Sequence, residues 1–125
     1  MRILAIGDIH GCSVALDALL DSVRPDASDL IVTLGDYVDR GPDSIGVIDR
    51  LVHLKKNTQV VPLCGNHEQM MLEARDDEGK FKEWLKNGGD ATLASYSMLD
   101  DAGTLSDVPD NHWDHRQGLA SESTR

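Results

Sequence analysis

Residues 30–41 read Leu-Ile-Val-Thr-Leu-Gly-Asp-Tyr-Val-Asp-Arg-Gly: an apolar run that stops on a glycine and then presents two carboxylates and a guanidinium. A short apolar run closed by a turn signal is the pattern of a buried strand. The same pattern lies on either side of it. Ile3-Leu4-Ala5-Ile6 leads into Gly-Asp-Ile-His-Gly at 7–11, and Val60-Val61-Pro62-Leu63-Cys64 leads into Gly-Asn-His-Glu at 65–68. Open α/β sheets gather their chemistry outside the carboxyl ends of the strands. Three strand ends presenting Asp, His, Asp and Asn therefore read as one metal site assembled from three loops.

Between the strands the period changes. Leu16, Leu19, Leu20 and Val23 recur at helical spacing, and Pro25 closes that helix. Pro42 sits where a helix can begin, and Ile45, Ile48, Leu51 and Val52 form its apolar stripe. Met70, Met71 and Ala74 mark a third helix. Strands separated by helices of this length need crossover connections, which predicts a parallel sheet in an α/β fold but leaves the strand order open. Beyond residue 75, Phe81, Trp84 and Leu85 predict a short helix ended by Gly88-Gly89, and Asp90 can cap another that holds Leu93, Ala94 and Met98. From Asp100 the chain is polar and turn-rich, with a short helix expected around Trp113 and a frayed end from Ala120.

With 125 residues, 40% of them hydrophobic, the chain has enough apolar material for one domain with one core. Aromatics make up only 4%, so aliphatic side chains are expected to fill that core. A formal net charge of −10 argues against a sequence-independent grip on nucleic acid, which needs a basic surface. No run approaches the roughly 18–20 apolar residues of a membrane helix, and no basic segment precedes an apolar one at the N-terminus. Cys12 and Cys64 are too few for a disulfide framework and read as reduced thiols acting as small apolar residues. A cytoplasmic address, without membrane or nucleic-acid partners, is the expectation.

The motif residues divide into roles. Asp8 and His10 lie two apart at the mouth of a strand, and a period of two points both side chains the same way, so they can grip one cation. Asp36 ends the next strand, and its two oxygens can bridge a pair of cations roughly 3.5–4 Å apart. Asn66 supplies a neutral carbonyl oxygen for the second cation. Mixed oxygen and imidazole ligation admits manganese, iron or zinc. Arg40 offers a fork of donors matched to phosphate oxygens. His67 can protonate a departing alkoxide, with Asp39 to orient its ring. Cations so held would acidify a bridging water, and together with Arg40 and Asn66 they would hold the charge that develops on the phosphoryl oxygens. Taken singly, a Gly-Asp after a strand is most often a turn, Arg40 a surface residue, and Asp39 its ion-pair partner. Three such motifs in order, each with His, Arg or Asn at a useful offset, reverse that reading. Glu68 reads as a capping carboxylate at a helix N-terminus rather than a ligand, and His53 as a solvated or dipole-paired residue.

The three motifs resemble the signature set of the phosphoprotein phosphatase family, the serine/threonine phosphatase branch of the calcineurin-like metallophosphoesterases. Residues 84–96, Trp-Leu-Lys-Asn-Gly-Gly-Asp-Ala-Thr-Leu-Ala-Ser-Tyr, resemble the segment that follows these motifs in bacterial members. The resemblance covers residues 1–115 and implies an α/β/β/α sandwich, here incomplete with its C-terminal half missing, and a short truncated or disordered tail at 116–125. It also implies two divalent metal ions, often manganese in bacterial members, and hydrolysis of phosphomonoesters on a phosphorylated protein or a small phosphoester. Carried over residue by residue, Asp8, His10 and Asp36 hold the first metal, while Asp36 and Asn66 hold the second. Arg40 and Asn66 contact phosphate, and His67 with Asp39 forms the acid pair. In the family, further histidines from later strands complete the second metal site. His112 and His115 flank Trp113 without the family's context and are not read as those ligands, so the second site is expected to be incomplete. Two alternatives stand beside the phosphatase reading. One is a symmetrical dinucleoside-tetraphosphate hydrolase, which shares these motifs. The other is a truncated metal-binding fragment, catalytically weak or inactive.

Overall fold

The structure, a computed structural model, describes residues 1–96. In chain order the elements are β1 (Ile3–Ile6), α1 (Ser13–Val23), β2 (Leu30–Thr33), α2 (Ser44–Leu54), β3 (Gln59–Pro62), α3 (Asn66–Ala74), α4 (Glu78–Trp84) and α5 (Asp90–Tyr96), with a wide helical turn at Leu85–Gly89 joining the last two. The three strands pair in the order β1-β2-β3, all parallel, as the alternation of strand and helix requires. Ile3 stands beside Leu30 and Gln59, and Ile6 beside Thr33 and Pro62. This level register brings the three motif loops out at one edge of the sheet. Arg2 fixes the opposite edge: its Nη2 lies 2.8 Å from Asp29 Oδ2, and its backbone N–H donates to Asp29 Oδ1 at 3.1 Å.

Parallel crossovers are right-handed, so two successive crossovers along the order β1-β2-β3 put α1 and α2 on the same face of the sheet. Burial agrees with that geometry. Ile31 and Thr33 are wholly buried on the helix side, and Leu4, Ile6 and Val60 pack there too. On the other side, Ile3 and Val61 are 65% and 38% exposed, and Ala5 is exposed as well. Among the described residues, one face of the sheet is bare. It is the face that the sandwich implied by the resemblance would cover with a second sheet.

Several boundaries differ from the sequence reading. Of the four apolar residues at helical spacing, 16, 19, 20 and 23, only Leu16 and Leu20 are fully buried and Leu19 is 42% exposed; together they span a wider arc than the sheet can cover. α1 stops at Val23 because Arg24 turns left-handed and its N–H caps Leu20 O at 2.8 Å, one residue before Pro25. α2 starts from Asp43 and not from Pro42: the Asp43 carboxylate accepts from Gly46 N at 3.0 Å and from Ser13 Oγ at 2.6 Å, joining the starts of α1 and α2. β3 begins at Gln59 and ends at Pro62, although Leu63 N still reaches Thr33 O at 2.8 Å. The core is not purely aliphatic. Tyr37 and Trp84 are completely buried, beside Ile31, Ile48, Leu51 and Met71.

Candidate active site

Five of the seven expected site residues have backbones that side chains other than glycine rarely adopt. Asp8, His10, Asp36, Asp39 and Arg40 all have positive φ, between 41° and 77°. Such conformations cost on the order of 1–3 kcal/mol each, persist only where the surroundings enforce them, and cluster at functional sites. They also correct one expectation. Asp8 and His10 converge through left-handed turns beyond the end of β1, not through strand alternation, because the strand has already ended at Ile6.

Two devices enforce these turns. The first is interlocked backbone: His10 N donates to Asp36 O at 2.9 Å, and Gly11 N to Tyr37 O at 2.8 Å. At Gly41 a Cβ would stand 1.9 Å from His10 O, so only glycine lets the β1 and β2 loops touch. The second device is Glu68. From the first turn of α3 its wholly buried carboxylate accepts from Gly65 N at 2.9 Å, Tyr37 N at 2.8 Å, Val38 N at 3.3 Å and Asp36 N. It caps α3, as the sequence suggests, and it also ties the β2 loop to the β3 loop. Burial pushes its carboxyl pKa up, and the four backbone donors oppose that shift.

The result is a cluster of donors. One ligand atom each from Asp8, His10 and Asp36 lies within 4.8 Å of the other two. His10 Nδ1 donates to Val38 O at 2.9 Å, which leaves the Nε2 lone pair for a cation. Asp36 Oδ1 accepts from His67 N at 3.0 Å, so the N-terminus of α3 sets its orientation. Asn66, exposed, lies between that His67 amide and Gly65, where a Cβ would stand 2.4 Å from Asp36 Oδ1. The donor set of carboxylate oxygens and an imidazole nitrogen suits a divalent cation of intermediate hardness.

Beside this cluster sits the second pair. His67 Nδ1 lies 2.8 Å from Asp39 Oδ2, with both residues buried, and the His67 ring packs edge-on against the His10 ring, centroids 4.7 Å apart. An ionised carboxylate only accepts, so His67 donates from Nδ1 and keeps Nε2 for other work. Burial raises the Asp39 pKa, against the pull of its donors Thr92, His67 and Trp84. Arg40 is exposed; its backbone is pinned by Gly88 O at 3.1 Å, and its side chain makes no ion pair among the described residues. A guanidinium held at its root and open at its tip can receive an anion.

Trp84 and Thr92 were missed as site residues. Trp84 reads as an apolar helix residue and Thr92 as a polar one, and nothing local shows that both reach Asp39. Among residues set aside, His53 is exposed on α2 and lines a hollow of about 530 Å³ with Arg50 and Lys56. Both cysteines are free thiols, and burial pushes Cys64 up to about 11. His112, His115 and the tail at 116–125 lie outside the described residues.

Loops of this composition and order are matched by a known family model. Residues 1–119 match the model of the calcineurin-like phosphoesterases. The chain belongs to that family. Relatives that it matches carry both of two kinds of name. A serine/threonine-protein phosphatase 1 from Salmonella typhimurium is 43% identical over 71% of this chain and 39% of its own length. A serine/threonine-protein phosphatase 2 from Escherichia coli is 41% identical over 71% of this chain and 39% of its own length. A symmetrical bis(5'-nucleosyl)-tetraphosphatase from Paracidovorax citrulli is 37% identical over 98% of this chain and 39% of its own length. A crystal structure described as that of a proposed diadenosine tetraphosphatase superposes with a TM-score of 0.56 at 27% identity, covering 94% of this chain and 41% of that one. The chain therefore spans about two fifths of the length of these calcineurin-like relatives. Among the described residues no helix is long and apolar enough to cross a membrane.

Proposed function

We propose that this chain carries the metal-holding and proton-donating loops of a phosphoester hydrolase acting on phosphorylated serine or threonine, or on a small phosphomonoester. The observation that carries the reading is the meeting of two units: three ligand atoms within 4.8 Å of one another, and a buried His–Asp pair whose imidazole touches the histidine of that cluster. Asp8, His10 and Asp36 would hold one divalent cation, and Asp36 with Asn66 would contribute to a second. Manganese is the metal we favour, from the bacterial resemblance and the mixed donor set. Bound cations supply positive charge for the phosphoryl oxygens and acidify the attacking water. Arg40 grips the phosphoryl group with its exposed fork. His67 as imidazolium gives a proton from Nε2 to the leaving oxygen, and Asp39 holds the ring through Nδ1.

A symmetrical dinucleoside-tetraphosphate hydrolase is the second reading. It is favoured by the Paracidovorax relative, which aligns over 98% of this chain, and by the fold neighbour. The residues above can serve either substrate, since both reactions attack a phosphorus and release an oxygen, although a nucleotide phosphate leaves with less need of the His67 proton than a serine alkoxide does. Calorimetry with Mn²⁺ tests the shared core. One site should be clearly tighter than any other and should vanish in Asp8→Asn. Two equally tight sites, or tight binding that survives the substitution, would reject the assignment. Assaying a phosphoserine peptide against diadenosine tetraphosphate then separates the two substrate classes.

A further inference from the structure

Resting on the acid-pair reading above, we propose that Trp84 and Thr92 are positioning residues for that pair. They hold the Asp39 carboxylate so that His67 is kept as the Nδ1–H donor with Nε2 left for the substrate. Trp84, at the end of α4, donates from Nε1 to Asp39 Oδ2 at 2.8 Å and shares that proton with Oδ1 at 3.0 Å. Thr92, on α5, donates from Oγ1 to Asp39 Oδ1 at 2.6 Å. With His67 Nδ1 on Oδ2, three donors converge on one carboxylate, and Asp39, Trp84 and Thr92 are all wholly buried. A carboxylate offers about four lone-pair sites, so this one has little left to offer and no freedom to turn.

The direction of the Thr92 bond is fixed by what surrounds it. An ionised carboxylate can only accept, so the hydroxyl's own proton goes to Asp39 Oδ1, while Thr92 Oγ1 accepts from Asp39 N at 2.7 Å and lies 3.0 Å from Ser44 Oγ. Gly88 supplies the reason that this segment can come so close. Its φ is +105°, and a Cβ there would stand 2.9 Å from Arg40 N and 3.3 Å from Asp39 Cβ. The same residue's carbonyl accepts the Arg40 N–H at 3.1 Å. Residues 84–92 are thus the wall behind both the acid pair and the phosphate-facing arginine. A role confined to packing helices would need the bulk of Trp84 and Thr92 but not their polar hydrogens. Positioning needs the hydrogens.

Thr92→Val keeps the shape and removes the donor, Thr92→Ser keeps the donor, and Trp84→Phe removes the indole N–H. In the ¹⁵N-labelled 125-residue chain, long-range ¹H–¹⁵N correlation reads the tautomer of the neutral His67 ring without any turnover. Wild type and Thr92→Ser should show the Nδ1–H form, whereas Thr92→Val and Trp84→Phe should raise the Nε2–H fraction several-fold. The Trp84 indole signal, assigned by its loss in Trp84→Phe, should shift in Asp39→Asn. In the manganese-loaded chain, kcat for an alkyl phosphate should fall about tenfold in Thr92→Val with KM unchanged, and much less for an aryl phosphate whose leaving group needs little protonation. Thr92→Ser should restore it. An unchanged tautomer in folded Thr92→Val, or equal losses on both substrates, would overturn the proposal. If Trp84→Phe fails to fold, Thr92→Val and Thr92→Ser still decide it. If the wild-type chain hydrolyses neither substrate while the tautomer still changes in Thr92→Val, the hydrolase reading of this chain is rejected and the positioning one is kept.

Discussion

His67 and Arg40 leave the same loop cluster but, on the proposed function, would face different parts of a substrate, and that difference can be measured. His67 is buried against Asp39 and touches His10, whereas Arg40 is exposed and open at its tip. Replacing His67 by Asn removes the proton donor and leaves the metal ligands in place. The loss in kcat should be on the order of 10²–10⁴ for an alkyl phosphate, and should shrink for an aryl phosphate. Replacing Arg40 by Ala should lower kcat/KM on both substrates alike, because a contact to the phosphoryl group does not depend on the leaving oxygen. Equal losses on both substrates in His67→Asn would make His67 a structural residue or a ligand. A loss in Arg40→Ala confined to one substrate would move Arg40 from the phosphoryl group to the leaving group.

At the scale of elements, Glu68 is the joint on which the loops depend. Four backbone N–H groups from the β2 and β3 loops end on its buried carboxylate. Glu68→Gln keeps the volume but turns one acceptor into a donor facing backbone N–H groups, a loss of roughly 3 kcal/mol for a buried charged acceptor. Because Asp36 N is among those donors, Mn²⁺ affinity should fall together with the denaturation midpoint. Unchanged affinity in a folded Glu68→Gln chain would show that Asp36 holds its place without this joint. Glu68 also marks what the sequence can and cannot show. Its capping role follows from its position at the start of a helix, a local feature. Its hold on Tyr37 and Val38 does not, because those partners are some thirty positions away in the chain. The same division runs through the site. Asp8, His10, Asp36, Asn66 and His67 stand out because each follows an apolar run on a glycine, and strand order with level register carries them to one edge. Trp84 and Thr92 carry no such mark; what makes them reach Asp39 is the close passage at Gly88, a tertiary fact. Leu19 stays exposed for a related reason, since helical spacing tells which residues share a face but not how wide a face the sheet will cover.

For the whole molecule, the Arg2–Asp29 contact at the far edge of the sheet sets how stability responds to acid. The Arg2 side chain beside it holds the Asp29 carboxyl well below the usual range, with help from the Asp26 N–H. A carboxyl whose folded pKa lies below its unfolded value of about 4 binds fewer protons in the folded state in that range. The pair therefore adds stability at neutral pH, keeps it above about 4, and gives it up as pH falls through that value toward the lower folded one. Asp29→Asn removes the charge and keeps the shape. Its urea midpoint should lie below wild type at neutral pH, and the two curves should converge as the solution is acidified through the carboxylate range. A gap that stays constant into acid would show that the contact works through geometry and not through charge. The sheet face that is bare among the described residues offers a control, since the strand residues described there carry no titrating group. Val61→Thr, on the exposed face opposite the helices, should reduce concentration-dependent association while leaving that pH dependence unchanged. Both readings fit one picture of the molecule: its charged edge fixes the strand register at one end, and that register delivers three loops to the chemistry at the other. If Asp29→Asn also weakened Mn²⁺ binding at neutral pH in proportion to its lost stability, the two ends of the sheet would be coupled through register. If binding held while stability fell, the loop cluster would be fixed by Glu68 and its neighbours alone.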